Sequence, residues 1–265
     1  MRMRRLWCAV VVLMCLLTPL DCLAGFALRG YDREDGYQYV ELGSFSQDAD
    51  GTERPILWRA LSAERGEAYL LSEYILFNNR VHPDDDAYAA SGGAWNQTEL
   101  FGLLNGPFVG DPLPAAEREA LLQKQRLGRV HIAETCFKDE AFTPLERSML
   151  EEDEALGMIF LPASDDLNNP AYGFGTERAR RACGTPYALA NGLFLYGNGS
   201  SPYWTRTQST SFRYGTRCTK VGGKIGYIRC VVMNEGCRPA VRLKLSGLEP
   251  ISGDGSYEFP YAFDR

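Results

Sequence analysis

Histidine is nearly missing: the 265 residues hold only His82 and His131. Zinc hydrolysis and histidine-based acid–base catalysis therefore lack their usual side chain. No C-x-x-C occurs, which removes thioredoxin-type redox chemistry and zinc ribbons. G-x-S-x-G, H-E-x-x-H, G-x-x-x-x-G-K-[ST] and a complete G-x-G-x-x-G are also missing. Repeats, low-complexity tracts and linkers rich in Pro, Gly or Ser are absent as well. The net charge of -6 speaks against a nucleic-acid partner. No metal and no cofactor is expected. Asp48-Ala49-Asp50-Gly51 lacks the later ligands of a calcium loop and reads as a turn, and Asp84-Asp85-Asp86 reads as a solvated loop.

What is present is globular: 45% hydrophobic, 23% charged and 12% aromatic residues. The one long apolar run, Leu6–Leu20, follows a basic start with Arg2, Arg4 and Arg5 and precedes Cys22-Leu23-Ala24. That is the pattern of a signal peptide over 1–24, and the run is short for a spanning helix. An uncleaved anchor and a lipoprotein at Cys22 are the alternatives, the latter opposed by Asp21 and Pro19. The expectation is an exported protein, periplasmic or extracellular, with 25–265 as one domain and no stable membrane span after cleavage.

Cleavage would leave Cys136, Cys183, Cys218, Cys230 and Cys237. Four of them, from Cys183 to Cys237, cluster late in the chain. In an oxidising compartment they suggest one or two disulfides and a spare thiol; one such bridge would contribute about 2–4 kcal/mol. In a reducing setting they are small buried hydrophobes.

Strands are predicted at Tyr37–Leu42, Pro55–Leu61 and Glu67–Ser72. A helical middle follows: Thr98 to Leu104, Ala115–Lys124, and a capping box at Thr143-Pro144-Leu145-Glu146. Met158–Leu161 reads as a strand and Thr176–Ala182 as a basic helical segment. The last third offers strands at Tyr203–Thr207, Phe212–Cys218, Lys224–Val232 and Arg238–Leu245. Gly222-Gly223 and Asn234-Glu235-Gly236 are the turns that would join them as hairpins. Strands, then helices, then strands predict an α+β fold with antiparallel sheets and inserted helices.

These residues also carry a family pattern. Leu42-Gly43-Ser44-Phe45-Ser46-Gln47-Asp48, Pro55-Ile56-Leu57-Trp58-Arg59 and Leu70-Leu71-Ser72-Glu73 resemble the opening of a large uncharacterised bacterial domain family. Its later landmarks stand here as Trp95, Leu104-Asn105-Gly106, Ile159 to Asp166, Tyr203-Trp204-Thr205-Arg206-Thr207 and Gly236-Cys237-Arg238-Pro239-Ala240. The Trp-x-Arg and Gly-x-Arg ending is similar to that of C-type-lectin-like folds, which include formylglycine-generating enzymes and phage receptor-binding proteins. The resemblance implies a C-type-lectin-like architecture and no particular activity. The enzyme branch uses two cysteines four residues apart, whereas six residues separate Cys230 and Cys237. The His-x3-His element of an iron-dependent branch and the calcium-lectin signatures are missing.

Within such an architecture Trp58, Trp204, Arg206 and Arg238 are structural motif residues. A second reading pairs Trp204 with Arg206, two apart on one strand face, as a stacking platform for a sugar or peptide. Loop aromatics and an amide supply the candidate ligand-binding set: Trp95, Tyr172, Tyr196, Asn198, Tyr203 and Tyr214. The alternative for the rings is that they cap the core beneath long loops. The functional expectation is a binding module for an unknown glycan or protein ligand. The competing expectations are a cysteine redox enzyme related to the formylglycine-generating group and a purely structural surface protein. The targeting segment predicts that N-terminal sequencing of protein from its native host starts near Gly25; an intact Met1 in a cytoplasmic fraction would contradict export.

Overall fold

The computed structural model describes residues 26–106 and 136–264. The 1–24 segment and the Ala115–Lys124 helix expected above lie outside the described residues. The chain opens with an antiparallel meander of β1 (Tyr39–Ser46), β2 (Glu53–Glu64) and β3 (Glu67–Ser72). Arg65 and Gly66, both at positive φ, close the two-residue β2–β3 turn, a geometry matched to the twist of the strands it joins. Along β2 the residues Ile56, Trp58 and Ala60 are buried while Pro55 and Leu57 are only partly covered, the period of two of a sheet with one face on the core.

Strand β1 carries a bulge between Glu41 and Ser44. Gly43 sits in it at φ 70, and a Cβ there would lie 2.7 Å from the Ala141 carbonyl and 2.8 Å from the Phe142 ring. The close approach lets the Gly43 N–H donate to Glu146 at 3.0 Å. Glu146 also completes the capping box of Thr143, so one carboxylate fixes both a helix start and a strand bulge.

Five short helices occupy the middle of the described chain: α1 (Asp85–Ala90), α2 (Glu99–Asn105), α3 (Phe137–Ala141), α4 (Pro144–Ser148) and α5 (Pro186–Ala190). The three aspartates expected in a solvated loop start α1 instead. Asp84 accepts from the Ala87 N–H at 2.7 Å, and Asp85 and Asp86 fill the first turn, where carboxylates offset the exposed N–H groups. The Thr176–Ala182 segment contracts to a single 3-10 turn at Arg178–Arg180.

The late strands divide between three sheets. β10 (Ala240–Lys244) inserts between β3 and β5 (Ile159–Phe160), and β11 (Tyr261–Ala262) pairs in parallel with β1, giving a six-stranded sheet in the order β11-β1-β2-β3-β10-β5. β4 (Phe77–Asn78) pairs with β9 (Gly236–Cys237). β6 (Trp204–Gln208), β7 (Gly215–Thr219) and β8 (Ile225–Arg229) form a separate antiparallel sheet. The protein is therefore mixed α+β and largely antiparallel. Gly222 and Gly223 do turn β7 into β8, both at positive φ. Asn234-Glu235-Gly236 does not join a hairpin, because the strand after it leaves the small sheet for β4.

Buried polar groups tie these parts together. The Trp58 indole donates to the Leu42 carbonyl at 2.8 Å, and Trp204 donates to Asn79 at 2.7 Å. Arg80 and Glu99 form a buried pair through Nε–Oε2 at 2.8 Å. Breaking such a pair from one side strands a charge in the interior. Arg80→Met is predicted to lower stability by about 3–5 kcal/mol, read from the urea midpoint, whereas Arg54→Met, at an exposed pair with Asp48, should cost under about 1 kcal/mol.

Candidate functional site

The small sheet has two unlike faces. On the inner face Trp204 and Cys218 are directly opposed and fully buried, and the Thr216 hydroxyl donates to Tyr88 Oη at 2.8 Å, seating the sheet on α1. Arg217 and Tyr227 are directly opposed across β7 and β8. Ile225 and Arg229 flank Tyr227 at i ± 2 and share its outer face. Tyr227 is 50% exposed. Its ring lies 6.0 Å from Phe212, which contacts Tyr214 at 5.6 Å, and the Arg213 guanidinium covers the Tyr214 ring at 4.5 Å.

A second exposed group adjoins the β7–β8 turn. Phe194 is 46% exposed, Leu195 51% and Val221 58%. Tyr196 packs edge-on against Phe194 at 5.1 Å, and burial with the nearby Glu235 carboxylate pushes its hydroxyl pKa upward. Asn198 makes the turn that presents them: its Oδ1 accepts from the Ser200 N–H at 3.1 Å and from the Ser200 hydroxyl at 2.7 Å. The exposed rings are thus held by a closed loop, with Tyr196 N–H bonded to the Ser200 carbonyl at 2.9 Å.

The expected ligand-binding residues separate into three places. Tyr196, Asn198 and Tyr214 lie on this surface. Tyr172 lies elsewhere, beside the β2–β3 hairpin in a groove of about 460 Å³ with Tyr69, Glu64, Glu67 and Arg242. Trp95 and Tyr203 are buried and offer no ligand face. Trp95 is held through an indole bond to the Leu156 carbonyl at 3.0 Å, and Tyr203 through its hydroxyl to the Arg180 carbonyl at 2.8 Å. Large rings with one polar atom bury well once that atom is satisfied. The Trp204–Arg206 platform is likewise not available. Trp204 is in the core, and Arg206 donates to the Leu161 carbonyl at 2.6 Å and pairs with Asp166 at 3.2 Å. Phe212, Arg217 and Tyr227 join this surface without a motif to mark them; the signal the sequence carries for them is the alternation of Ile225, Tyr227 and Arg229 in a strand with glycine at 226.

The cysteine staple does not form here: Cys183, Cys218, Cys230 and Cys237 are all free thiols. Burial pushes Cys218 and Cys230 up to about 12 and Cys237 well above the ordinary thiol range. Cys218 faces Lys220 and Glu235, whose side chains approach to 3.3 Å. Cys230 donates to Asp85 at 3.3 Å. Among the described residues no group of three or more His, Cys, Asp or Glu is placed to hold a metal ion, and no helix is long and apolar enough to cross a membrane. No protein-family model matches the chain, and neither a curated protein nor a solved structure is significantly similar to it.

Thiol accessibility gives a direct check on this chemistry. Since the thiolate is the reactive species, iodoacetamide at pH 8 should label Cys183 quickly in the folded protein, with Cys218, Cys230 and Cys237 reacting only in urea. Mass mapping under non-reducing conditions reads the same sites, and a bridge among them in exported protein would contradict the free-thiol arrangement.

Proposed function

We propose that the protein is an exported binding module of C-type-lectin-like architecture whose ligand, a glycan or a protein, docks on the outer face of β6–β7–β8 and the adjoining Phe194–Ser200 loop. The observation that carries this reading is a ring cluster on a rigidly backed sheet, with Tyr227 half exposed and Phe212 and Tyr214 partly covered beside it. Phe212, Tyr214 and Tyr227 share one surface, while the opposite face is pinned by Trp204 and Thr216. Rings held in place lose little conformational freedom on binding and offer flat apolar faces with a polar tip. The separated large sheet lets the small one vary its outer side chains without disturbing the core that Trp58 and Arg238 organise. The three buried thiols, all with raised pKa, favour binding over cysteine redox catalysis, which needs an accessible thiolate.

Tyr227→Ala and Tyr214→Ala are predicted to abolish or strongly weaken binding on a glycan and peptide array while changing stability by no more than about 0.5 kcal/mol. Trp204→Ala should instead cost about 3–5 kcal/mol. Tyrosine variants as destabilised as Trp204→Ala would remove the proposed surface.

A further inference from the structure

Charge is segregated along this chain. Of its 28 lysines and arginines, nine fall between Arg178 and Asn234, and that stretch contains no aspartate or glutamate. The other 19 share the rest of the chain with all 34 acidic residues. A protein of net charge -6 thus carries one strongly basic segment; the fold withdraws Arg206 into its pair with Asp166 and gathers the others around one hairpin.

This basic stripe runs the length of the β7–β8 hairpin. At the turn end, Arg180 donates to the Gly223 carbonyl at 2.9 Å, which places the Arg178–Arg181 turn against Val221–Gly223. A Cβ at Gly222 would stand 4.0 Å from the Arg181 guanidinium. Lys220 and Lys224 oppose each other across the same turn, their backbones bonded at 2.7 Å, but they follow the parity of Cys218 and Gly226, and Lys220 turns inward to Cys218 and Glu235. Midway lie Arg217 and Tyr227, and at the far end Arg213 and Arg229. Not all of these cations are open. Lys220 pairs with Glu235, Arg229 with Asp85, and Arg213 stands 4.0 Å from Asp86. Arg178, Arg181, Arg217 and Lys224 pair with no acidic side chain among the described residues.

We propose that this stripe binds an acidic polysaccharide, a chain of sugar rings bearing carboxylates. The inference rests on the binding-module reading and assigns its ligand class. Arg217 beside Tyr227 supplies a carboxylate partner next to a ring face, the pair of contacts a uronic acid offers. Residues two apart on a strand repeat about every 6.6 Å, on the scale of single sugar rings, so successive units meet successive side chains of Ile225, Tyr227 and Arg229. A membrane or a nucleic-acid duplex fits worse. Either presents a broad anionic surface, which would also face the acidic remainder of the molecule, including Asp84–Asp86 at the Arg229 end. A single flexible sugar chain contacts the stripe alone.

The test is binding of the whole protein to polygalacturonate, its methyl ester, single-stranded DNA and phosphatidylserine vesicles. Polygalacturonate is expected to bind, with affinity falling as salt rises, and the neutral ester to bind at least about tenfold more weakly. The double change Arg217→Ala with Arg213→Ala, which removes the cation opposite Tyr227 and the one over Tyr214, should weaken polygalacturonate binding by about tenfold or more. Arg217→Lys with Arg213→Lys, which keeps the charge, should retain it, with melting unchanged in both. Equal binding of acid and ester, insensitivity to the double change, or tighter binding of DNA or vesicles overturns the anionic-glycan assignment. If neutral sugars or peptides bind instead and Tyr227→Ala abolishes that binding, the docking surface stands and only the ligand class falls. If no probe binds, both fall.

Discussion

One guanidinium holds the two main sheets to each other. Arg238 is fully buried just before β10, with no direct ion pair among the described residues. Its Nε donates to the Ser72 carbonyl at 2.8 Å, at the end of β3, and its Nη1 to the Tyr203 hydroxyl at 3.3 Å, at the start of β6. The charge lies 5.2 Å above the Tyr203 ring. Burying an arginine is costly unless its donors are used. Burial pulls the Arg238 pKa down, and the neighbouring Glu73 carboxylate works against that pull. Glu73 is itself fastened to Arg59, across the strands of the large sheet. Charge compensation thus extends from the large sheet to Tyr203, the residue before β6, and ties the small sheet to the large one.

Local signals in the sequence were readable wherever the physics is local. The Thr143–Glu146 capping box, the Thr98 cap and the Gly222-Gly223 turn each depend on a handful of consecutive residues, and each is present in the structure. The alternating stretches match strands of the structure to within a few residues. What escaped is set by partners far along the chain. Asn234-Glu235-Gly236 looks like a hairpin turn, but Cys237 pairs with Phe77, which the turn cannot announce. Asp84 in a polar stretch reads as loop or as helix cap with equal ease, and the choice rests on whether Tyr88 finds a buried place.

The same limit applies to the surface. Tyr203 and Tyr227 both lie in or beside strands with an arginine two or three residues on. One is sealed under Arg238 and Thr219, the other is half exposed. Composition marks aromatic density but cannot say which ring faces water, because that depends on which sheet covers which face. Charge is different. A run of cations without anions has to be solvated or matched wherever the fold puts it: within the basic stretch from Arg178 to Asn234 the fold matches Arg206 with Asp166 and Lys220 with Glu235, and leaves Arg178, Arg181 and Arg217 without an acidic partner among the described residues.

The parallel pairing of β11 with β1 has a mechanical consequence. Val40 opposes Tyr261 and Glu41 opposes Ala262, while Phe26 packs on Tyr261 and Phe263 at 5.0 and 5.6 Å. In a parallel pair the chain enters one strand and leaves the other at opposite ends of the ladder. Tension drawn between those two points runs along the strands, so the rungs bear load together instead of opening one after another. The two rungs between β1 and β11 therefore share a load applied along the strands, and the small sheet lies outside that pairing.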